Sequence, residues 1–328
     1  MTPITVQAVA AVSPGTPLSI ADLPELNQLP PTQREFALSL GIDEVWSAGE
    51  RTEVDLAAEA ASAVLVQAGL DADELDALVV VQGRAPDYLM ASEATRLQAR
   101  LRARRAVTLS VGDLGCVSSS AALMTAQGLF AVNPEWRTVL MAMGTRAPTV
   151  RRFRSPMTVL GDGGMAVLLN RANTGRFRLV DQVLESNGEY ADLYRIPYRE
   201  TSQDQWAEQC EQPDVYSFRL AMESRNRFRQ LNERLLRRNG MDLSDVQTCV
   251  MQNLSRGAFE FWRDALGVRF ASACRENLRR FGHLGSMDVL LNLDATADAL
   301  SPGDRVLAMN SSPVAAWSSA LFERLAER

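Results

Sequence analysis

The chain of 328 residues contains no lysine, and all 34 of its basic residues are arginine. Schiff-base catalysis, lysine-bound pyridoxal phosphate and the lysine of a phosphate-binding P-loop are therefore excluded. Histidine is almost absent as well, because His283 is the single residue of that type. A zinc site built from several histidines is thus excluded, and a catalytic base of the histidine type has to be His283.

Cysteine is scarce, with residues only at positions 116, 210, 249 and 274 and no C-x-x-C spacing. This pattern predicts free thiols in the reducing cytoplasm and no metal site. The net charge of −6, without a basic block, argues against a nucleic-acid partner. The stretch MTPITVQAVAAVSPGTP lacks the features of a signal peptide, and we expect no membrane-spanning run.

Helical and strand patterns alternate along the chain, which predicts an α/β fold. The hydrophobic share of 46% allows a large core, and the length suits two domains or two fused halves. The predicted helices cover 52–70, 91–103, 116–132, 218–241, 259–268 and 288–300. The predicted strands cover 75–83, 106–112, 137–144, 246–253 and 303–312, and 159–170 predicts a turn that leads into a strand.

The same strand and helix scheme occurs in both halves, with a seam near 171–185. No close internal sequence repeat accompanies it, so the pattern suggests a duplicated topology. The polar segment YRETSQDQWAEQCEQPD (198–214) is interpreted as a mobile surface insertion.

Cys116 lies in DLGCVSSSAAL, after a predicted strand and at the start of a predicted helix. A helix N-terminus favours the thiolate form of cysteine, so Cys116 is a candidate nucleophile. The alternative is a small buried residue of a core helix, since free cysteines are often buried.

His283 lies in RRFGHLGSMDVLL, between Gly282 and Gly285, and Asp288 follows five residues later. In a continuous helix this spacing would separate His283 from Asp288, so a contact needs the irregular turn that the two glycines permit. Asp288 could then orient the imidazole. The alternative is that Asp288 caps the following helix and His283 is exposed in a loop.

These motifs together resemble those of the ketoacyl-acyl-carrier-protein synthase III family, whose members have the thiolase fold. SVGDLGCVSSSAALMTA resembles the family's nucleophile segment, VLGDGGMAVLL its glycine-rich segment and CVMQNLSRGA its histidine segment. FGHLGSMD and PGDRVLAMNSSPVAAWSSALF occupy the positions of its asparagine segment and its C-terminal strand and turn. GDGG (161–164) by itself indicates only a tight turn.

The resemblance implies two similar βαβ-rich halves, 1–172 and 173–328, stacked as α-β-α-β-α layers. The first half would hold the nucleophilic cysteine and the second the histidine and aspartate. It also implies a homodimer and acyl-CoA or the phosphopantetheine of an acyl carrier protein as acyl donor, with no permanently bound cofactor.

The chain departs from the family's condensing pattern at two positions. Gln252 occupies the family's histidine position, and His283 occupies its asparagine position. Glutamine can donate a hydrogen bond but cannot act as a base, so decarboxylative condensation is expected to be impaired. Cys116, His283 and Asp288 instead resemble a branch that transfers acyl groups, with Gln252, Asn253 and Ser312 as supporting residues.

This resemblance implies an acyltransferase that forms esters or amides with a small-molecule acceptor. The setting would be the biosynthesis of a specialised metabolite such as an antibiotic. The alternatives are a condensing enzyme that tolerates Gln252 and a non-catalytic partner of thiolase fold.

A third departure concerns the oxyanion hole. Pro313 aligns with the glycine whose N–H completes that hole in the family, and proline has no N–H. Either the N–H of Ser312 or that of Val314 replaces it, or the hole is weaker.

Several cations are candidates for binding the acyl donor. Arg146, Arg151, Arg152 and Arg154 form a basic stretch that either faces phosphopantetheine or is merely solvated. Arg256 lies one position from a basic contact of the family, and Tyr88 falls where the family sends a side chain into the neighbouring subunit's acyl pocket.

Overall fold

The computed structural model describes residues 4–82, 86, 88–172, 174–212 and 215–326. Gly83, at the end of a predicted strand, lies outside the described residues, as do Pro213 and Asp214 of the polar segment.

The helices are distributed along the whole chain. They are α1 (Pro24–Asn27), α2 (Pro31–Leu38), α3 (Glu53–Ala68), α4 (Glu93–Leu101), α5 (Ser118–Val132), α6 (Ala221–Arg238), α7 (Arg256–Leu266), α8 (Ser272–Phe281) and α9 (Asp288–Thr296).

Fifteen strands are found in the part of the chain that the structure describes. They are β1 (Ile4–Val12), β2 (Pro17–Ser19), β3 (Glu44–Trp46), β4 (Ala77–Val81), β5 (Val107–Val111), β6 (Thr138–Thr145), β7 (Phe153–Arg154), β8 (Thr158–Val159), β9 (Gly163–Asn170), β10 (Phe177–Ser186), β11 (Tyr194–Arg195), β12 (Gln209–Cys210), β13 (Thr248–Met251), β14 (Arg305–Ser312) and β15 (Ala316–Arg324).

Nine of these strands form one sheet, in which four strands of each half repeat the same topology and β5 is an additional edge strand of the first half. The strand order is β13-β14-β15-β10-β1-β9-β6-β4-β5. In the first half, β1, β9 and β6 are antiparallel neighbours and β4 is parallel to β6. In the second half, β10, β15 and β14 are antiparallel and β13 is parallel to β14. The suggested duplication is therefore confirmed, and antiparallel pairing of β1 with β10 joins the halves.

Helices cover both half-sheets and also separate them. Helices α3 and α4 pack on the first half, and α6 packs on β10 and β15 of the second half. Helix α5 contacts β4 and β10, and α9 contacts β13, β14 and β1, so both lie between the halves. This gives the five α-β-α-β-α layers of the thiolase fold.

Two glycines allow α3 to pack closely on its half-sheet. Gly144 of β6 pairs with Gly164 of β9 across the ladder. A Cβ atom at Gly144 would collide with the carbonyl oxygen of Glu53, and one at Gly164 would collide with that of Leu56. The absence of both side chains therefore lets the helix backbone contact the sheet directly.

The structure contains two central strands outside the predicted elements. The stretch that argued against a signal peptide contains β1, a central strand, and most of the seam at 171–185 belongs to β10. Strand β1 has buried residues on both faces, so polar alternation did not reveal it. A domain boundary between residues 172 and 173 stays a prediction.

One helical segment, Gly115–Val132, is long and apolar enough by length and composition to cross a membrane, contrary to expectation. It includes Cys116 and α5, and α5 packs between the two half-sheets. Its apolar character is therefore explained by burial in the protein core.

Candidate active site

Cys116 lies at the junction between β5 and α5. A short 3₁₀ turn over Gly115–Val117 leads directly into α5, and Gly115 adopts a left-handed φ of 55°. The thiol is only 6% exposed. The Cys116 carbonyl accepts a hydrogen bond of 2.7 Å from Nδ2 of Asn310, which ties the turn to the end of β14.

His283 lies in an irregular connection between α8 and α9. Gly282 and Gly285, on either side of it, have φ values of 61° and 67°. The His283 N–H donates to the Val159 carbonyl at 2.9 Å, and its own carbonyl accepts from Gly161 N–H at 3.1 Å. The glycine-rich segment at 161–164 therefore helps to hold the histidine loop.

The structure brings Cys116, His283 and Asp288 into one hydrogen-bonded chain. His283 Nε2 lies 3.3 Å from Cys116 Sγ, and His283 Nδ1 lies 2.6 Å from Asp288 Oδ2. Asp288 is the first residue of α9, and its carboxylate also accepts from the main-chain N–H groups of Asn253 and Leu284, each at 2.9 Å. These donors hold the carboxylate in position to orient the imidazole.

The environment favours a thiolate–imidazolium pair. Burial would raise the pKa of the Cys116 thiol, but the charge of His283 and its hydrogen bond outweigh burial, and the pKa is lowered. Burial would lower the pKa of His283, but the charges of Cys116 and Asp288 raise it to about 9. The lowered pKa of Cys116 and the raised pKa of His283 share one cause, the attraction between the thiolate and the imidazolium.

The other deeply buried cysteines are different. Burial raises the pKa of Cys249 and of Cys274 to about 12, so both thiols stay protonated. Cys116 is thus set apart from Cys249 and Cys274 by its histidine partner.

Cys116 and His283 open onto a cavity of about 650 Å³. This volume is large enough for a small organic molecule. The polar segment interpreted as a surface insertion supplies part of the wall: Tyr198, Trp206 and Glu208 line the cavity, together with Tyr194 and Arg195 of β11. The segment includes β12 and therefore contributes to the site, which corrects the prediction.

Gln252 is not among the described residues that line this cavity. Its amide Nε2 donates to the Ser311 carbonyl at 3.1 Å and to the Ser311 hydroxyl at 2.6 Å. Its Oε1 accepts from Ser311 N–H at 3.3 Å. The amide thus pairs with Ser311 and is not directed at Cys116.

Asn253 supports the site through its backbone. Besides the N–H bond to Asp288, its side-chain Oδ1 accepts from Asn292 Nδ2 at 2.8 Å. Asn292 also donates to the Met251 carbonyl at 2.7 Å, so buried amides hold this segment against α9.

Pro313 and Val314 line the cavity at the turn between β14 and β15. The turn is closed by a 3.0 Å hydrogen bond from Ala315 N–H to the Ser312 carbonyl, and Ala315 has a left-handed φ of 54°. Ser312 is buried beside Gly115, where a Cβ atom on the glycine would lie 3.1 Å from the serine Cβ. Its hydroxyl has no hydrogen-bond partner within the described structure.

The expected donor-binding cations have different environments. Arg152 forms a bidentate ion pair of 2.9 Å with Asp162 and also donates to Ser47 and the Leu160 carbonyl. Its guanidinium is therefore occupied by structural contacts, and its role in donor binding stays a prediction. Arg151 is exposed, and Arg256 is exposed at the first residue of α7.

Arg154 is the member of the predicted basic stretch that lines the cavity. Its side chain is 11% exposed and is paired with Glu208. Glu208 and Tyr194 were not identified from the sequence, because their contribution depends on how two distant hairpins meet. Tyr88 is 63% exposed, with the Arg96 guanidinium 5.2 Å from its ring centroid.

The chain is similar in sequence to proteins of one family. The family described as 3-oxoacyl-[acyl-carrier-protein] synthase III, C terminal, matches residues 236–324. A β-ketoacyl-[acyl-carrier-protein] synthase III from Oleidesulfovibrio alaskensis is 30% identical over 287 residues, which are 84% of this chain and 84% of that protein.

Solved structures share the fold. ChlB3, described as an acyltransferase, superposes with a TM-score of 0.83 at 22% identity, over 99% of this chain and 98% of that one. The 3-oxoacyl-(acyl carrier protein) synthase III from Pseudomonas aeruginosa PAO1 has a TM-score of 0.81 at 20% identity, over 99% of each chain. The fold and the identity to the Oleidesulfovibrio protein together show that the chain is an enzyme of the ketoacyl-acyl-carrier-protein synthase III family.

Proposed function

We propose that this enzyme is an acyltransferase that loads an acyl group onto Cys116 and transfers it to a hydroxyl or amine of a small-molecule acceptor. The acyl donor is acyl-CoA or an acyl carrier protein, and the setting is specialised-metabolite biosynthesis, such as that of an antibiotic. The observation that carries the proposal is the chain of contacts from Cys116 through His283 to Asp288, at 3.3 Å and 2.6 Å.

In the first step, the Cys116 thiolate attacks the carbonyl carbon of the donor thioester. A new C–S bond forms to Cys116, and the bond to the donor sulfur breaks. The donor thiolate leaves and takes the proton of the His283 imidazolium, so His283 becomes neutral. The raised pKa of His283 supplies the imidazolium that this step needs.

In the second step, the acceptor oxygen or nitrogen attacks the acyl carbonyl while His283 Nε2 accepts its proton. Acylation has removed the thiolate charge that raised the pKa of His283, so the imidazole can act as a base at this stage. The bond to Cys116 breaks and the thiolate–imidazolium pair is regenerated. Asp288 keeps Nδ1 protonated and leaves Nε2 available.

The position of Gln252 supports transfer over condensation. Condensation in this family requires side chains that stabilise an enolate, and the Gln252 amide is hydrogen-bonded to Ser311. His283 then remains as the titratable partner of Cys116, which suits proton transfer.

We infer a homodimer in the cytoplasm. Strand β5 lies at the edge of the nine-stranded sheet, and Val107 within it is 50% exposed. Tyr88, Leu89 and Met90 are also exposed, which suits a protein interface. The four cysteines are free thiols, as expected in a reducing compartment. Light scattering at several protein concentrations tests the dimer.

The central experiment is mass spectrometry of the intact protein after incubation with short acyl-CoAs, with site mapping by proteolysis. We expect a single acyl group on Cys116, its loss in Cys116→Ala and its retention in the matched Cys210→Ala variant. Acylation of Cys116→Ala at the same peptide would exclude this nucleophile.

Malonyl-CoA distinguishes the alternatives. An acyltransferase retains a malonyl group on Cys116 until an alcohol or amine accepts it, whereas a condensing enzyme releases carbon dioxide and forms a ketoacyl product. A non-catalytic protein forms no acyl-enzyme with any donor.

A further inference from the structure

Arg154 places a cation in the wall of the cavity that contains Cys116. It ends β7, and its side chain is 11% exposed. Burial raises the pKa of the Cys116 thiol, whereas His283 and, to a smaller extent, the charge of Arg154 lower it. The guanidinium therefore acts electrostatically on the atom that would hold the acyl group.

Two antiparallel hairpins, β7–β8 with Arg154 and β11–β12 with Tyr194, meet at the guanidinium, and Glu208 directly precedes β12. Arg154 Nε donates to Glu208 Oε2 at 2.7 Å, and its second terminal nitrogen, Nη2, pairs with Glu208 Oε1. The Tyr194 hydroxyl donates to Glu208 Oε2 at 3.1 Å, and the guanidinium lies 5.4 Å from the Tyr194 ring centroid. Glu208 thus occupies Nε and Nη2, whereas Nη1 makes no hydrogen bond or ion pair with the residues that the structure describes.

Arg152 shows how a purely structural arginine looks in the same stretch. Both of its terminal nitrogens are hydrogen-bonded, to Asp162, Ser47 and the Leu160 carbonyl. Arg152 is not among the described residues that line the cavity. Arg154 also forms a bidentate pair with a carboxylate, that of Glu208, but this pair uses only one of its two terminal nitrogens. Arg154 also lines the cavity.

The remaining charges around the cavity are compatible with an anion beside Arg154. Besides Arg154 and its partner Glu208, the lining includes Asp113, which is exposed, and Arg195, which is exposed and paired with Glu211. His283 is the second buried cation when protonated. A planar guanidinium with a free edge is well suited to a carboxylate.

We propose that Arg154 is a specificity residue that selects acyl groups ending in a carboxylate. The first test of this proposal measures acylation of Cys116 and therefore rests on the proposed function. The second test measures alkylation of Cys116 and does not depend on acyl transfer. A charge-assisted hydrogen bond predicts a preference of about 10- to 100-fold over a neutral group of the same size.

The first test compares malonyl-CoA with isovaleryl-CoA, in which an isopropyl group replaces the carboxylate with the same number of heavy atoms. The initial rate of acyl-enzyme formation on Cys116 is measured by mass spectrometry. We expect wild type to prefer malonyl by about tenfold or more and Arg154→Met to reduce the ratio to about one. Arg154→Lys should keep part of the preference, and Glu208→Gln should increase it because a competing anion is removed.

Arg237→Met is the matched control, because it removes the same charge from an exposed residue of α6 outside the described cavity lining. Its malonyl-to-isovaleryl ratio should stay at the wild-type value. Because Arg154→Met leaves Glu208 without its partner, Arg154→Met/Glu208→Gln provides a variant without an unpaired carboxylate.

The second test uses two alkylating agents of nearly equal shape, anionic iodoacetate and neutral iodoacetamide. In both reactions the Cys116 thiolate forms an S–C bond and iodide leaves. We expect the iodoacetate-to-iodoacetamide rate ratio at Cys116 to exceed that at Cys210 and to fall by about tenfold in Arg154→Met.

The proposal is overturned if Arg154→Met and its double variant retain the wild-type ratios, or if wild type shows no preference for the anionic reagent of either pair. Failure of both acyl-CoAs to label Cys116, with an Arg154-dependent alkylation ratio, would refute the acyltransferase and retain the anion selection.

Discussion

His283 Nε2 lies 3.3 Å from Cys116 Sγ, although 167 residues separate them in the sequence. The two residues come from different halves of the duplicated fold. Cys116 is held by the β5–α5 junction, and His283 is held by the loop that packs against Val159 and Gly161. Their separation is set by the packing between the halves, and the chemistry of the site depends on it.

Replacement of His283 should make Cys116 less reactive at neutral pH. His283 lowers the pKa of the thiol, so His283→Ala should raise that pKa and shift the alkylation profile to higher pH. A thiol of ordinary pKa is only a few per cent ionised at pH 7, and we expect a roughly tenfold slower reaction with iodoacetamide. Peptide mapping between pH 5 and 10 measures it. Cys249 and Cys274, with pKa values of about 12, serve as unreactive controls. An unchanged pH profile would contradict the coupling.

Replacement of Asp288 should slow acyl transfer without removing the nucleophile. Asp288→Asn keeps the side-chain shape, but the amide no longer enforces the Nδ1–H tautomer or stabilises imidazolium. We expect a fall of about 10²- to 10⁴-fold in transfer from acyl-Cys116 to an alcohol or amine, followed by single-turnover mass spectrometry. Asp294→Asn, which changes a half-buried carboxyl on the same helix that pairs with Arg176, is the control. Equal losses in both variants would indicate a general structural effect.

Replacement of Pro313 should accelerate acylation. Proline supplies no N–H at a turn that lines the cavity beside Cys116. Pro313→Ala and Pro313→Gly both restore a donor, and we expect about a tenfold or greater rise in the rate of acyl-enzyme formation, since one oxyanion donor contributes about 10²- to 10³-fold in known cases. Alanine controls for the added flexibility of glycine. If neither variant is faster, the proline does not limit the reaction.

Replacement of Arg152 should destabilise the protein. Arg152→Met leaves Asp162, which is 4% exposed, without its ion-pair partner, at an expected cost of about 3–5 kcal/mol in the free energy of unfolding. Burial would raise the pKa of Asp162, but Arg152 and two main-chain N–H groups lower it, so this stabilisation is present above the unfolded pKa of about 4 and is lost as acidification reaches the lowered pKa.

Urea unfolding at pH 7 measures the effect of Arg152→Met, and Arg151→Met should change it by less than about 0.5 kcal/mol. A pure increase in the KM for acyl-CoA, with unchanged stability, would instead support Arg152 as a donor-binding residue.

The predicted helices and strands were recovered where the periodicity was strong. The predicted helix at 52–70 corresponds to α3, which begins with a capping box between Thr52 and Asp55 and ends at Gly69 in the left-handed region. These are local signals within one turn of the chain. Strand β1 was missed because burial on both faces removes the alternation that identifies a strand.

The amino-acid sequence by itself determined the α/β class, the duplicated order of elements, the family and the irregular turn at Gly282 and Gly285 beside the single histidine. These properties depend on local backbone preferences and on residue types. The tertiary structure alone decided which side chains share the cavity: Gln252 pairs with Ser311, Arg152 pairs with Asp162, and Arg154 meets Glu208. Such pairings join segments distant in sequence, so they arise from the packing of the two halves and leave no periodic signal in the chain.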